Sequence, residues 1–299
     1  MRVTTILVDG RPTPAVVRDG RVLLIDRKTT GLAGIRALAA GGSPALTRLQ
    51  AWLDAQSADA GTPFETVTLG PAVPDPGAIY TIGHNYRAPT KPKDATGDDA
   101  EPPERPLVYG KASSSVAGHG ATLRWDRSLT DNVDAEVELG VVIGATASAV
   151  APERALDHVF GFTIINDVSS RDSWLDGDQW LIGKSLPGFC PVGPWIVTAD
   201  EMGTTDDVRL GCKIDGAAIQ DGTTRDMRFS IPEIIAYLSH HLTLRPGDLI
   251  ATGTPARLPT PPGPERRLRA GDRVTAWIEG IGELTTPIAE TNGSQEDKP

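Results

Sequence analysis

Asp134-Ala-Glu-Val-Glu-Leu-Gly-Val-Val-Ile-Gly144 carries two glutamates, Glu136 and Glu138, at the head of an apolar, β-branched run. Such a run reads as a strand. Side chains i and i+2 of a strand leave the same face, so both carboxylates point one way, a few ångströms apart. Like charges that close are costly unless a cation or a proton joins them. A solvated strand edge also accommodates Glu-x-Glu, so the stretch alone does not separate a metal or acid/base site from an ordinary surface.

Working outward, Phe160-Gly-Phe-Thr-Ile-Ile165 is a second strand, ending in Asn166-Asp167. Strand ends are where scaffolds present functional groups. If Asp167 meets the two glutamates, an all-oxygen set results. That set suits a hard ion, Mg²⁺, Mn²⁺ or Ca²⁺, and not Zn²⁺, which favours His or Cys. Magnesium retains open, water-filled positions, where a chelating 2-oxo acid is polarised. Lys184, in Ile182-Gly-Lys-Ser185, reads either as a partner for these carboxylates and for developing negative charge or as an ordinary surface lysine. A phosphate-loop reading of Gly-Lys-Ser fails, because the required earlier glycine is Asp178. The Thr252-Gly-Thr-Pro255 turn offers N–H groups and hydroxyls to a ligand carboxylate. Of the five histidines, His84 and His119 lie in loops flanking the proposed site, whereas His158, His240 and His241 fall on or near helices.

The chain has 299 residues, enough for one large domain with a small appendage. High glycine (32) and proline (25) fit turns around sheets rather than a helical bundle. A net charge of −10 gives no basic face for phosphates and argues against nucleic acid. Two cysteines, Cys190 and Cys212, make no disulfide framework and fit a reduced cytoplasm. No apolar run approaches the roughly 18 residues of a membrane helix. A soluble cytoplasmic protein is expected.

Residues 1–26 alternate apolar and polar around Asp9-Gly10 and Asp19-Gly20, which predicts an antiparallel meander. Residues 31–57 change to helical spacing. Together they form a small N-terminal β/α domain, 1–70, ahead of a stiff Pro-rich connection at 71–77 and a larger domain spanning 71–289. Residues 88–106 hold five prolines and five acidic residues and read as a lid loop. Ser230-Ile-Pro-Glu233 starts a capped helix, and Glu279-Gly280 joins a last hairpin. The final ten residues, 290–299, are polar and expected to be disordered.

Read in order, six motifs resemble one family. They are Ile82-Gly-His-Asn-Tyr-Arg87, Glu136-Val-Glu138, Phe162-Thr-Ile-Ile-Asn-Asp-Val-Ser-Ser-Arg-Asp172, Gly183-Lys-Ser185 with Gly188-Phe-Cys-Pro-Val-Gly-Pro-Trp195, Phe229-Ser-Ile-Pro-Glu-Ile-Ile-Ala-Tyr-Leu238, and Arg245-Pro-Gly-Asp-Leu-Ile-Ala-Thr-Gly-Thr-Pro255. Together they resemble the fumarylacetoacetate hydrolase family over residues 75–288. The resemblance implies an α+β fold with a mixed, rolled β-sandwich core, a small N-terminal domain and a homodimer. It implies a metal triad of Glu136, Glu138 and Asp167 holding Mg²⁺ or Mn²⁺, with Lys184 beside it. It places substrate contacts at Tyr86, Arg171, Trp174, Gly253 and Thr254. The implied activity is hydrolysis of a C–C bond in a small, acidic β-diketo or 2-oxo acid through a metal-bound enolate. Tautomerisation, decarboxylation or dehydration of a 2-oxo acid is the alternative, and a non-catalytic ligand-binding relative a third reading.

Two residues depart from the family's pattern. Asn-Tyr is usually followed three residues on by a histidine that serves as base, and here Pro89 stands in its place. A glutamine that usually follows Arg-Asp by two residues is Trp174. If the protein hydrolyses, His84 or a lid group is expected to supply the lost base.

Overall fold

The computed structural model describes residues 1–87, 103–172, 179–259 and 266–289. The strand expected around Glu138 runs Val137–Ile143 and is buried along its whole length. Val137, Leu139, Val141 and Ile143 enter one apolar cluster. Val142, from the opposite face, enters a second. Strand alternation therefore sends Glu138 to the face opposite Val137 and Leu139. Glu136 falls just outside, in a two-residue break between Val133–Asp134 and Val137–Ile143.

Val137–Ile143 lies between Val159–Asn166 and Leu249–Ala251, antiparallel to both. These belong to an eleven-stranded sheet. Its path runs from Thr62–Pro63 through the N-terminal strands, Cys190–Thr198, Val159–Asn166, Val137–Ile143, Leu249–Ala251 and Ile79–Gly83 to Leu107–Lys111. Val116–Ala117 then returns to pair, in parallel, with Cys190–Thr198. Strands lie about 4.8 Å apart, so four steps along a flat sheet would span about 19 Å. Leu107–Lys111 is four steps from Val159–Asn166, yet Lys111 touches the residue that follows that strand. Accumulated twist has rolled the sheet so that its far strand comes back over the middle.

A second sheet of Ala217–Thr223, Arg209–Ile214, Arg273–Ile278 and Gly282–Pro287 packs on the first. The main core lies between them, where Leu210, Val274 and Leu284 share a cluster with Leu139 and Phe162. The helix Ile231–His241 starts as its sequence predicts. Ser230 accepts the Glu233 N–H, and the Glu233 side chain accepts the Ser230 N–H. The result is the mixed, sheet-dominated α+β architecture expected from sequence. No helix among the described residues is long and apolar enough to cross a membrane.

The N-terminal meander turns at Asp9-Gly10 (φ 49° and 73°) and Asp19-Gly20 (φ 49° and 72°). Two successive positive φ values match the primed hairpin turns that Asp-Gly favours. Its first strand pairs with Cys190–Thr198 through Arg2↔Val197 and Val3↔Ile196. Val3, Val16, Leu23, Ile35 and Leu49 share an apolar cluster with Val142, Phe160 and Ile165. Residues 1–70 thus continue the main sheet and share its core, because so short a meander buries little apolar surface by itself.

Candidate metal centre

The Val159–Asn166 ladder places Ile165 opposite Glu138 and Asn166 opposite Val137. One residue further, the Asp167 N–H donates to the Glu136 carbonyl at 2.8 Å, and the Glu136 N–H donates to the Asn166 side chain at 3.1 Å. Cross-strand pairing thus continues past the end of the regular ladder. Glu136, Glu138 and Asp167 meet with one carboxylate oxygen each within 4.8 Å of the others. Glu138 and Asp167 are buried and Glu136 half-buried. The three residues that the sequence assigns to a metal are brought together.

Two unit negative charges about 4 Å apart repel by about 4 kcal/mol at an effective dielectric near 20. Cations offset this. Lys184 pairs with Asp167, donates to the Ser169 hydroxyl at 2.9 Å and lies 3.7 Å from Glu136. Arg171 pairs with Glu136. Lys111, absent from the sequence reading, donates to Asp167 at 2.5 Å and to the Val168 carbonyl at 3.0 Å. Its side chain is fully buried. The only local sign of it is a Gly110-Lys111 pair that repeats Gly183-Lys184. Its partner is 56 residues away and reached only through the roll of the sheet.

The two buried carboxylates are driven apart electrostatically. Burial pushes Asp167 up, but Lys111 and then Lys184 outweigh it and hold the carboxyl down at about 2. Burial pushes Glu138 well above the usual carboxylate range, Asp167 adds to this, and Lys184 and the Gly253 N–H oppose it. Burial works against the charged form of Lys184, yet the carboxylates, Asp167 first, raise it. The centre therefore pairs a firmly ionised Asp167 with a proton-hungry Glu138.

The substrate-contact candidates fall into distinct places. Tyr86 is buried, and its hydroxyl has no hydrogen-bond partner among the described residues. Burial raises its pKa, and the charge of nearby Glu138 raises it further. Its neighbour Asn85 is a structural clamp, bonded to Phe229 through both side-chain ends and to the Thr252 carbonyl. The clamp holds the Thr-Gly-Thr turn against this strand end. Gly253 adopts φ 97° and gives its N–H to Glu138 at 2.6 Å. A Cβ on Gly253 would meet Asn85 Cβ at 2.7 Å. The Thr254 hydroxyl donates to the Val137 carbonyl at 2.8 Å and accepts from Gln220 at 2.7 Å, so its proton is committed to the strand. His84 is exposed, at φ 53° in the turn after Ile79–Gly83. His119 lies elsewhere, against Phe64 and Thr285. Pro89, Trp174, most of the lid at 88–106 and the tail at 290–299 lie outside the described residues. Burial pushes the Cys190 and Cys212 thiols up to about 12, which makes both inert.

The donor set fits a hard divalent ion. Bonds of about 2.0–2.6 Å keep two oxygens on one ion within about 4–5 Å of each other, and the three carboxylate oxygens here lie within 4.8 Å of one another. Among the described residues no nitrogen or sulfur ligand belongs to the cluster, which disfavours zinc.

The chain has relatives of known structure. The profile of the fumarylacetoacetate (FAA) hydrolase C-terminal domain matches residues 78–289. An uncharacterized protein of Staphylococcus aureus strain USA300 is 39% identical over 227 residues, 76% of this chain and 74% of that one. A fumarylacetoacetate hydrolase from psychrophilic Exiguobacterium antarcticum superposes with TM-score 0.80 at 31% identity, covering 97% of this chain and all of that one. A maleylpyruvate hydrolase from Sphingobium sp. SYK-6, solved with manganese(II) and pyruvate, gives 0.78 at 28% identity, covering 98% and 100%. A 2-hydroxyhepta-2,4-diene-1,7-dioate isomerase from Mycobacterium marinum gives 0.72 at 28%, covering 98% and 99%.

Proposed function

The chain belongs to the fumarylacetoacetate hydrolase family, and on that premise we propose that it is a divalent-metal-dependent hydrolase cleaving a C–C bond in a β-diketo or 2-oxo acid. The observation that carries this reading is the Glu136–Glu138–Asp167 cluster with two buried lysines on Asp167. Mg²⁺ or Mn²⁺ bound there supplies Lewis-acid polarisation to a chelating 2-oxo acid. The manganese and pyruvate held by the maleylpyruvate hydrolase support that choice of ion and ligand. In this reading Lys184 stabilises the negative charge that develops on the substrate's oxygens as the bond breaks, and the buried Lys111 holds Asp167 ionised and in place. Arg171 and the backbone of the Gly253-Thr254 turn place the acid, and the Tyr86 hydroxyl donates to it. Trp174 completes the contact set. His84 takes a proton from the attacking water. Water adds to the acyl carbonyl, which leaves as a carboxylic acid, the electron pair of the broken C–C bond passes to the 2-oxo-acid fragment, and the proton held by His84 is delivered to that fragment's carbon. We also read the protein as cytoplasmic, from its two cysteines that form no disulfide framework, and as a homodimer, as the family resemblance implies.

A turnover screen on acylpyruvates with Mg²⁺, Mn²⁺ or EDTA tests this. Turnover with metal and none with EDTA is expected. Glu138→Ala should abolish metal binding and activity together. Metal binding without turnover of any acylpyruvate would end the hydrolase reading. A second reading, tautomerase, decarboxylase or dehydratase, draws on the isomerase among the relatives and on the exposure of His84. Enolisation requires no activated water, and NMR of oxaloacetate or a 2-oxo-3-deoxy sugar acid distinguishes it.

A further inference from the structure

Two aromatic rings beside the centre have no part in the chemistry above. Tyr109 precedes Lys111 by two residues in the strand Leu107–Lys111, and alternate strand residues share a face. Trp180 precedes Lys184 by four residues in the helix Trp180–Lys184, and residues i and i+4 share a helix face. Each lysine-bearing element thus carries an aromatic ring on its lysine side. The rings meet, stacked with centroids 4.6 Å apart and planes at 19°. Burial raises the Tyr109 phenol, and the charge of Lys184 reaches it and opposes that rise. The same ring packs on the backbone that leads into His84, since a Cβ on Gly83 would lie 2.6 Å from its Cε2.

A cavity of about 370 Å³ opens against this pair, lined by Tyr109, Gly110, Gln179, Trp180, Leu181 and Ile182. A cavity of about 150 Å³ already encloses a benzene ring, so a ring and its linker fit. The six lining residues carry no formal charge. Among these residues a carboxylate would lose water and find no cation, only the Gln179 amide and the Tyr109 hydroxyl. Leu181 and Ile182 are about half exposed, which leaves apolar surface available to a ligand.

We propose that the Tyr109–Trp180 wall is the subsite for the far end of the substrate, and that it selects uncharged aromatic or long apolar acyl groups over a methyl group or a second carboxylate. The proposal rests on the acylpyruvate reading for its substrate class. Its basis is the continuity of the wall with Lys111 and Lys184 and the neutrality of its lining. Tyr109 and Trp180 act as specificity residues, remote from the bond that breaks.

The metal-loaded full chain is assayed on acetylpyruvate and benzoylpyruvate. The expected ratio of kcat/KM, benzoyl over acetyl, is about tenfold or more. It should fall toward one in Trp180→Ala and Tyr109→Ala and be retained in Trp180→Phe, which keeps a ring. In parallel, calorimetry on Mn²⁺-loaded protein compares phenylpyruvate with pyruvate, and the same variants should lose the preference for phenylpyruvate. A wild-type ratio of one or less, or a ratio unchanged in Trp180→Ala and Tyr109→Ala, overturns the subsite. If neither acylpyruvate turns over, the hydrolase reading falls while the calorimetric ratio still decides the subsite.

Discussion

Replacing Lys111 with methionine separates a structural role for the buried cations from their role toward a metal. Methionine keeps most of the stem's volume and removes the charge. At 2.5 Å the Lys111–Asp167 attraction is about 7 kcal/mol before desolvation, taking an effective dielectric near 20. Both side chains are almost wholly buried, at 0% and 2% exposure, so much of that attraction is offset by lost hydration. Removing one partner of a buried pair costs about 3–5 kcal/mol. Asp167 keeps Lys184, which places the expected loss near the lower end, about 3 kcal/mol. At about 2–4 °C per kcal/mol for a domain of this size class, the melting temperature in EDTA should fall by about 6–12 °C. The sign reverses toward metal. With one cation gone, Asp167 is less neutralised, so Lys111→Met should bind Mn²⁺ at least as tightly as wild type and gain more thermal stability from it. Urea unfolding in EDTA and calorimetric Mn²⁺ titration measure both. A variant within about 1 kcal/mol of wild type in EDTA, or one that loses Mn²⁺ binding, would refute the electrostatic argument.

Further expectations concern the surroundings of the site. Gly253→Ala forces a side chain into φ 97° against Asn85 and the Ile82 carbonyl. It should cost about 1–3 kcal/mol by urea unfolding. Mn²⁺ affinity should also fall about tenfold or more, because the Gly253 N–H orients Glu138. Unchanged affinity would show that this bond does not set the carboxylate. His119 accepts the Thr285 N–H at Nδ1, which requires an unprotonated ring nitrogen there, and burial lowers its pKa. The folded chain then binds this proton less readily than the unfolded one. The stability it contributes is present above about pH 6.5 and is lost as the pH falls below that. His119→Asn should flatten the pH dependence of unfolding free energy between about pH 5 and 7, and an unaltered slope would assign it to other groups.

Much of this protein is legible residue by residue. The alternation from Val137 to Ile143 separates Glu138 from the core side, and the period of two needs no distant information. Asp9-Gly10, Asp19-Gly20 and the Ser230–Glu233 capping box are equally local, since the groups that satisfy each other lie within four residues. The carboxylate donor set implies a hard ion through ligand chemistry alone.

Tertiary structure decided the rest. Glu136 lies outside the regular ladder and is tied instead to Asn166 and Asp167 across the break. The Thr254 hydroxyl is consumed by the Val137 carbonyl, 117 residues away. The first 70 residues extend the main sheet because Arg2 and Val3 pair with Val197 and Ile196. Lys111 is the clearest case. Apart from the Gly110-Lys111 pair that repeats Gly183-Lys184, nothing near it in the chain distinguishes it from a surface lysine at a strand end. Its meeting with Asp167 arises from twist accumulated over four strand-to-strand steps, a property of the assembled sheet that no local stretch contains.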